Sequence, residues 1–249
     1  MGIGENLSDE NREYKRQLSA AQPFIYEDDG TLTLYFEMGS VQSQMKVGRP
    51  NLLMLDYTRS MMGFLLFNNR PRHIGTIGLG GGSIQKHCYR TIPQSRISVA
   101  EISSEVIALR DHFYIPKDDS RFTVFCEDGA DFVARHSNEF DVLIVDGFDI
   151  TGQPEQLCSQ RFYDDCYEAL APNGVMVVNM PDRDFRGLLA SMRLSFRNLV
   201  VVVGCEDGDN QIAFAAKGNA LAQLDGGFKN LPRIKQYHRI NFNKTVFPF

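Results

Sequence analysis

Apolar residues along this chain come first in short β-like bursts and then in alternating strand-length and helix-length runs. Phe24-Ile25-Tyr26 and Thr31-Leu32-Thr33-Leu34-Tyr35-Phe36 flank Glu27-Asp28-Asp29-Gly30, whose Asp-Gly pair predicts a tight hairpin turn. A further strand from Val41 to Val47 would complete a small antiparallel sheet. Tyr57 to Phe67 is apolar almost throughout and predicts a mostly buried helix, with Asp56 as its N-cap and Asn68-Asn69-Arg70-Pro71 as its stop. From His73 the pattern predicts strands at 73–78, 96–101, 122–126, 141–145 and 175–179, the last preceded by Pro172-Asn173-Gly174. Helices are predicted between and after them, at 83–90, 103–113, 128–136, 161–170 and 186–196. Strands at 199–203 and 211–216 follow each other without a helix.

Strands alternating with helices predict a parallel sheet covered on both faces. The final helix-free pair predicts an antiparallel last strand, the Rossmann-like α/β form that nucleoside-dependent transferases use rather than dinucleotide enzymes. The chain then divides into a polar tail (1–20), a small β-hairpin domain (21–55), a nucleoside-binding catalytic domain (56–217) and a locally basic surface extension (218–249) with Arg233, Lys235, Arg239 and Lys244.

Candidate chemistry starts at His73-Ile-Gly-Thr-Ile-Gly-Leu-Gly-Gly-Gly-Ser83, where a strand gives way to glycines and then to a helix. Gly78, Gly80, Gly81 and Gly82 can take positive φ and let a ligand approach the backbone, with the helix N–H groups pointing at it. Ser83 stands where a dinucleotide fingerprint has Gly or Ala, and no Gly-Lys-Ser/Thr follows, so this is no P-loop. Three acids then fall where strands should stop. Glu101 is placed to accept ribose hydroxyls. Asp128, followed by Gly129, either accepts from an exocyclic amine of a base or caps its helix. Asp146 and Asp149, in Val145-Asp146-Gly147-Phe148-Asp149, either hold a cationic amine and remove its proton or are two solvated loop acids.

Composition narrows the partners. A net charge of −5 over 249 residues argues against general nucleic-acid binding, and 43% apolar with 23% charged residues is an ordinary globular balance. Five scattered cysteines without C-x-x-C spacing read as reduced thiols in a cytosolic protein, not as disulfides or a zinc site. The N-terminal residues lack a signal-peptide core, and no run reaches membrane-spanning length.

With these residues in view, the chain resembles the spermidine synthase (polyamine aminopropyltransferase) family from roughly Phe24 to Ala216. The resemblance is firmest over Phe140-Asp-Val-Leu-Ile-Val-Asp-Gly-Phe-Asp149, Gly152, Glu155, Leu157, Phe162-Tyr163 and Leu170-Ala-Pro-Asn-Gly-Val175. It implies the class I S-adenosylmethionine-dependent transferase fold, behind a small N-terminal β-domain. The activity it implies moves an aminopropyl group from decarboxylated S-adenosylmethionine to a small-molecule amine, releasing methylthioadenosine. A cytoplasmic homodimer or higher homo-oligomer is implied, without metal, membrane or nucleic acid. It gives Asp149 the role of base with Asp146 beside it, and puts Tyr57 near an active-site tyrosine. Gly78, Gly80, Gly82, Glu101, Asp128, Gly129 and Asp146 fall to the nucleoside. The chain departs from the family pattern at Gly81, where an aspartate grips the donor's amino group, at Ile150 in place of a proline, and in 204–210. Two alternatives follow from those departures: a methyltransferase using S-adenosylmethionine, and a non-catalytic nucleoside-binding relative.

Overall fold

Asp29 and Gly30 both take positive φ, 43° and 63°. This is the primed turn whose twist suits a two-residue hairpin. It joins β1 (Phe24–Asp28) to β2 (Thr31–Glu37), and β3 (Ser40–Lys46) completes an antiparallel sheet in the order β1-β2-β3. In the computed structural model the described residues are 22–37, 40–148, 152–181, 185–205, 210–223 and 244–246. The predicted tail over 1–20, residues 206–209 and most of the predicted C-terminal extension lie outside them. Leu32, Leu34 and Met45 of the small sheet are buried in the same apolar cluster as the main body.

The main body is built on β4 (His73–Ile77), β5 (Arg96–Glu101), β6 (Phe122–Cys126), β7 (Phe140–Val145), β8 (Leu170–Pro181), β9 (Val200–Gly204), β10 (Asn210–Ala216) and β11 (Lys244–Val246). They lie in the order β11-β9-β10-β8-β7-β4-β5-β6. β4 through β8 pair in parallel, and β10 runs antiparallel between β8 and β9, as the helix-free pair at the end of the pattern predicts. Strand residues alternate between two buried clusters. Ile74, Val99, Val142, Ile144 and Val177 face α1 (Asp56–Met61), α2 (Ser83–Thr91) and α3 (Ser104–Ala108). Ile77, Leu143, Val145, Met176 and Val178 face α4 (Gly129–Ala134), α5 (Gln160–Ala169) and α6 (Phe185–Ser195). The chain runs β4, β5, β6 one way and returns to the other side of β4 with β7, so the crevice lies above the carboxyl ends of β4 and β7. No described helix is long and apolar enough to cross a membrane.

Four local expectations change. The helix predicted over 57–67 is α1 followed by a tighter turn at Met62–Leu66, and Asp56 is not its cap. Leu55 holds that place, and Asp56 Oδ1 instead accepts from Arg59 Nη2 at 2.7 Å. The helix predicted over 103–113 stops at Ala108. Turns follow, and they put Phe113 and Ile115 into the core against the glycine turn. Pro172-Asn173-Gly174 is a bulge inside the long β8, where the register to β7 shifts and Asn173 takes φ 61°. Lys244–Val246 returns to the sheet and pairs with β9.

Where β4 ends, Gly78 donates to the Ala100 carbonyl and Asp146 to the Ile77 carbonyl, each at 2.9 Å. Gly78 has φ 90°, and a Cβ there would lie 2.8 Å from the Asp146 carbonyl carbon and closer still to its oxygen. Gly80 has φ 51° but open space around it. Gly78→Ala combines backbone strain with a clash against main chain and should cost at least ~2 kcal/mol. Gly80→Ala carries the strain alone, about 1 kcal/mol. Urea melts of the two variants check this; equal losses would refute the close approach.

Candidate functional site

A cavity of about 570 Å³ opens between the carboxyl ends of the parallel strands and the small sheet. That volume is in the range of small-molecule sites. Gly78, Gly80, Gly81, Glu101, Asp128, Gly129, Asp146 and Tyr57 all line it. Gly82 does not. It is the left-handed N-cap of α2 (φ 63°), and a Cβ there would strike Ile115. Asp149 and Ile150 lie outside the described residues.

Glu101 ends β5 with its carboxylate in backbone amides: Oε2 accepts from Leu79 N–H at 2.8 Å and Oε1 from Ser103 N–H at 2.9 Å. Burial raises its pKa, and the backbone amides of Ser103, Leu79, Gly80 and Ile102 oppose the rise.

Asp128 caps its helix, one of its two sequence readings. Oδ1 accepts from Ala130 N–H at 2.8 Å and caps α4, while Oδ2 accepts from Gln156 Nε2 at 3.2 Å at the cavity wall. Gly129 follows because a Cβ there would overlap the Ile77 side chain.

Asp146 follows β7, and its Oδ1 accepts from Asn179 Nδ2 at 2.9 Å. The Tyr57 hydroxyl donates to the same carboxyl. Asn179 Oδ1 in turn accepts from Asn210 Nδ2 at 2.6 Å. Burial lifts the Asp146 pKa from 3.8 to about 7, against the pull of the Asn179 and Tyr57 hydrogen bonds. The same burial, with Asp146 beside it, pushes the Tyr57 phenol well above its ordinary value. The result is a carboxyl that can give or take a proton near neutrality, on a wall whose described residues include no Lys, Arg or His.

Asn179 and Asn210 are the functional candidates that sequence reasoning missed. Asn179 interrupts Val175-Met176-Val177-Val178, and a lone amide in a buried parallel strand was the available signal. Asn210 carries no such signal, because only strand pairing brings it to Asn179. Ser43 of β3 is equally silent in sequence; its Oγ lies 3.2 Å from Ser83 Oγ. Among the described residues no three His, Cys, Asp or Glu side chains converge as a metal site would require.

Residues 54–184 match the family model described as the spermine/spermidine synthase domain. A polyamine aminopropyltransferase from Chromobacterium violaceum is 31% identical over 219 residues, 87% of this chain and 79% of the relative. Two solved structures share the fold. A probable spermidine synthase from Corynebacterium glutamicum has a TM-score of 0.69 at 19% identity, covering 91% of this chain and 95% of its own. Human methyltransferase-like protein 13 in complex with SAH has a TM-score of 0.62 at 23% identity, covering 72% and 93%.

Asp146 makes stability depend on pH in a stated direction. Between about pH 4 and pH 7 the folded protein keeps the Asp146 proton and the unfolded chain does not, so stability falls as pH rises through that window. Asp146→Asn removes this contribution. The melting temperature of the variant relative to the parent should therefore climb from pH 4 to pH 7 and level off above it, read by thermal melts across pH. Parallel profiles would show that Asp146 titrates normally.

Proposed function

Because the chain belongs to the spermine/spermidine synthase family, we propose that it transfers an aminopropyl group from decarboxylated S-adenosylmethionine to a small-molecule amine, releasing methylthioadenosine. The observation that carries this reading is one cavity with three strand-end carboxylates, a glycine turn and no basic side chain on its described wall. Such a wall suits a ligand that is cationic and bears a nucleoside.

In this reading Glu101 takes the ribose hydroxyls, its orientation held by the Leu79 and Ser103 amides. Asp128 accepts from the adenine amine with the oxygen that now meets Gln156. Gly78 and Gly80 let the nucleoside lie against backbone, and Gly129 keeps the start of α4 close to β4. The acceptor nitrogen forms a bond to the carbon next to sulfur. The carbon–sulfur bond breaks with its electron pair going to sulfur, which becomes a neutral thioether. The proton shed by the nitrogen passes to a carboxylate. Asp149 is the proposed base, and Asp146, oriented by Tyr57 and Asn179, holds the ammonium in line. The sulfonium already leaves readily, so alignment and a free lone pair are what the protein must supply. A cytoplasmic homodimer or higher homo-oligomer belongs to the same proposal.

Two measurements test it. Calorimetric titration should show micromolar binding of decarboxylated S-adenosylmethionine and methylthioadenosine and none of NAD, and an amine panel should yield methylthioadenosine. Asp149→Asn should lower turnover by roughly 100-fold or more while methylthioadenosine affinity stays within about twofold. An unchanged rate would remove Asp149 from the role, and absence of binding by every adenosyl ligand would overturn the reading.

A further inference from the structure

The cavity is not uniformly acidic. Its carboxylates sit above β5, β6 and β7, whereas the corner between β3 and the start of α2 holds none among the described residues. At Gly81 the reason is space. A Cβ there would lie 2.5 Å from Ser43 Oγ, 2.9 Å from Ser43 Cβ and 3.0 Å from Phe113 Cδ1. Gly81 is not in the left-handed region, so the neighbours alone exclude a side chain. Those neighbours are held. Ser43 belongs to a paired strand, and Phe113 is fully buried with its carbonyl accepting from Lys86 Nζ at 2.7 Å.

What fills this corner is hydrogen-bond donors. The first turn of α2, nine residues long, has no side-chain cap, and Ser83, Ile84 and Gln85 of that turn line the cavity. Ser43, 95% buried, and Ser83 share a single hydrogen bond, Oγ to Oγ at 3.2 Å. Two hydroxyls bring two hydrogens, and that bond uses one. The other finds no acceptor among the described residues, and both side chains line the cavity. A corner with an unspent hydroxyl hydrogen, uncapped helix N–H groups and no carboxylate suits an anion on the ligand.

Resting on the reading of the site given above, we propose that it accepts a donor that keeps its α-carboxylate, S-adenosylmethionine itself, and moves the whole 3-amino-3-carboxypropyl arm. With the ribose at Glu101 and the reacting carbon near Asp146, the α-carboxylate reaches Ser43, Ser83 and the start of α2. The bond changes are those of aminopropyl transfer. Nitrogen bonds to the carbon next to sulfur, the carbon–sulfur pair goes to sulfur to give methylthioadenosine, and the nitrogen's proton goes to a carboxylate. Only the transferred arm differs, by one carboxylate.

The test incubates the full chain with an amine panel and either S-adenosylmethionine or its decarboxylated form, and identifies products by mass spectrometry. The expected result with S-adenosylmethionine is methylthioadenosine plus an amine carrying the carboxylated arm, with kcat/KM within about tenfold of the decarboxylated donor. Ser43→Ala and Ser83→Ala should each lower the ratio of the two kcat/KM values roughly tenfold against S-adenosylmethionine, the loss of one hydrogen bond to a charged group. Ser43→Gly combined with Gly81→Asp should move the ratio the same way, by placing a carboxylate in the corner. Turnover of the decarboxylated donor alone, with S-adenosylmethionine at least about 100-fold slower, would overturn this inference and leave the parent reading standing. S-adenosylhomocysteine as product, or no product from either donor, would overturn both.

Discussion

The structure depends on how closely β4 and β7 can run at their carboxyl ends. The space for the loop after β7 exists because position 78 has no side chain: any Cβ would enter the Asp146 backbone. That one contact places the glycine turn, the Asp146 carboxyl and the start of α2 around the same crevice. Gly129 does the same work one strand over, where a side chain would displace Ile77 and lift α4 from the sheet. Small residues thus set the depth of the cavity, and the strand-end acids occupy the walls that depth creates.

Within that cavity the acids are not equivalent, and burial alone does not distinguish them. Glu101 receives backbone amides, Asp128 spends one oxygen on a helix, and Asp146 receives, among the described residues, an amide side chain and a phenol. Backbone amides cannot move away, so Glu101 is a fixed acceptor. Asp146, held by side chains and pushed to a pKa of about 7, is the group whose charge answers to what binds beside it. The two acids thus differ in what holds them, main chain for Glu101 and side chains for Asp146.

Particular residues show where sequence reading reached and where it stopped. The Asp29-Gly30 turn, the glycine turn, and the acids at the ends of β5, β6 and β7 were legible because each is a local consequence of strand termination. Asp56 was misread as a cap because the helix starts one residue earlier, with Leu55 at the cap, and Asp56 in the first turn accepts from Arg59. The helix expected to reach residue 113 ends at Ala108, since burying Phe113 and Ile115 against the glycine turn outweighs continuing the helix. Asn179 was visible as an odd amide in an apolar strand, but not its purpose.

The sequence by itself determined the layer order, the parallel sheet with its antiparallel closing strand, and which acids stand at strand ends. Those features follow from the period of apolar positions and from glycines, both read residue by residue. Only the tertiary structure decided which of these groups share a cavity, that Asn210 reaches Asn179 across a strand pair, and that Ser43 fills the space beside Gly81. Ser43 and Ser83 are 40 residues apart. Their meeting comes from docking the small sheet on the core, an arrangement set by the burial of Leu32, Leu34 and Met45 and carried by no local pattern.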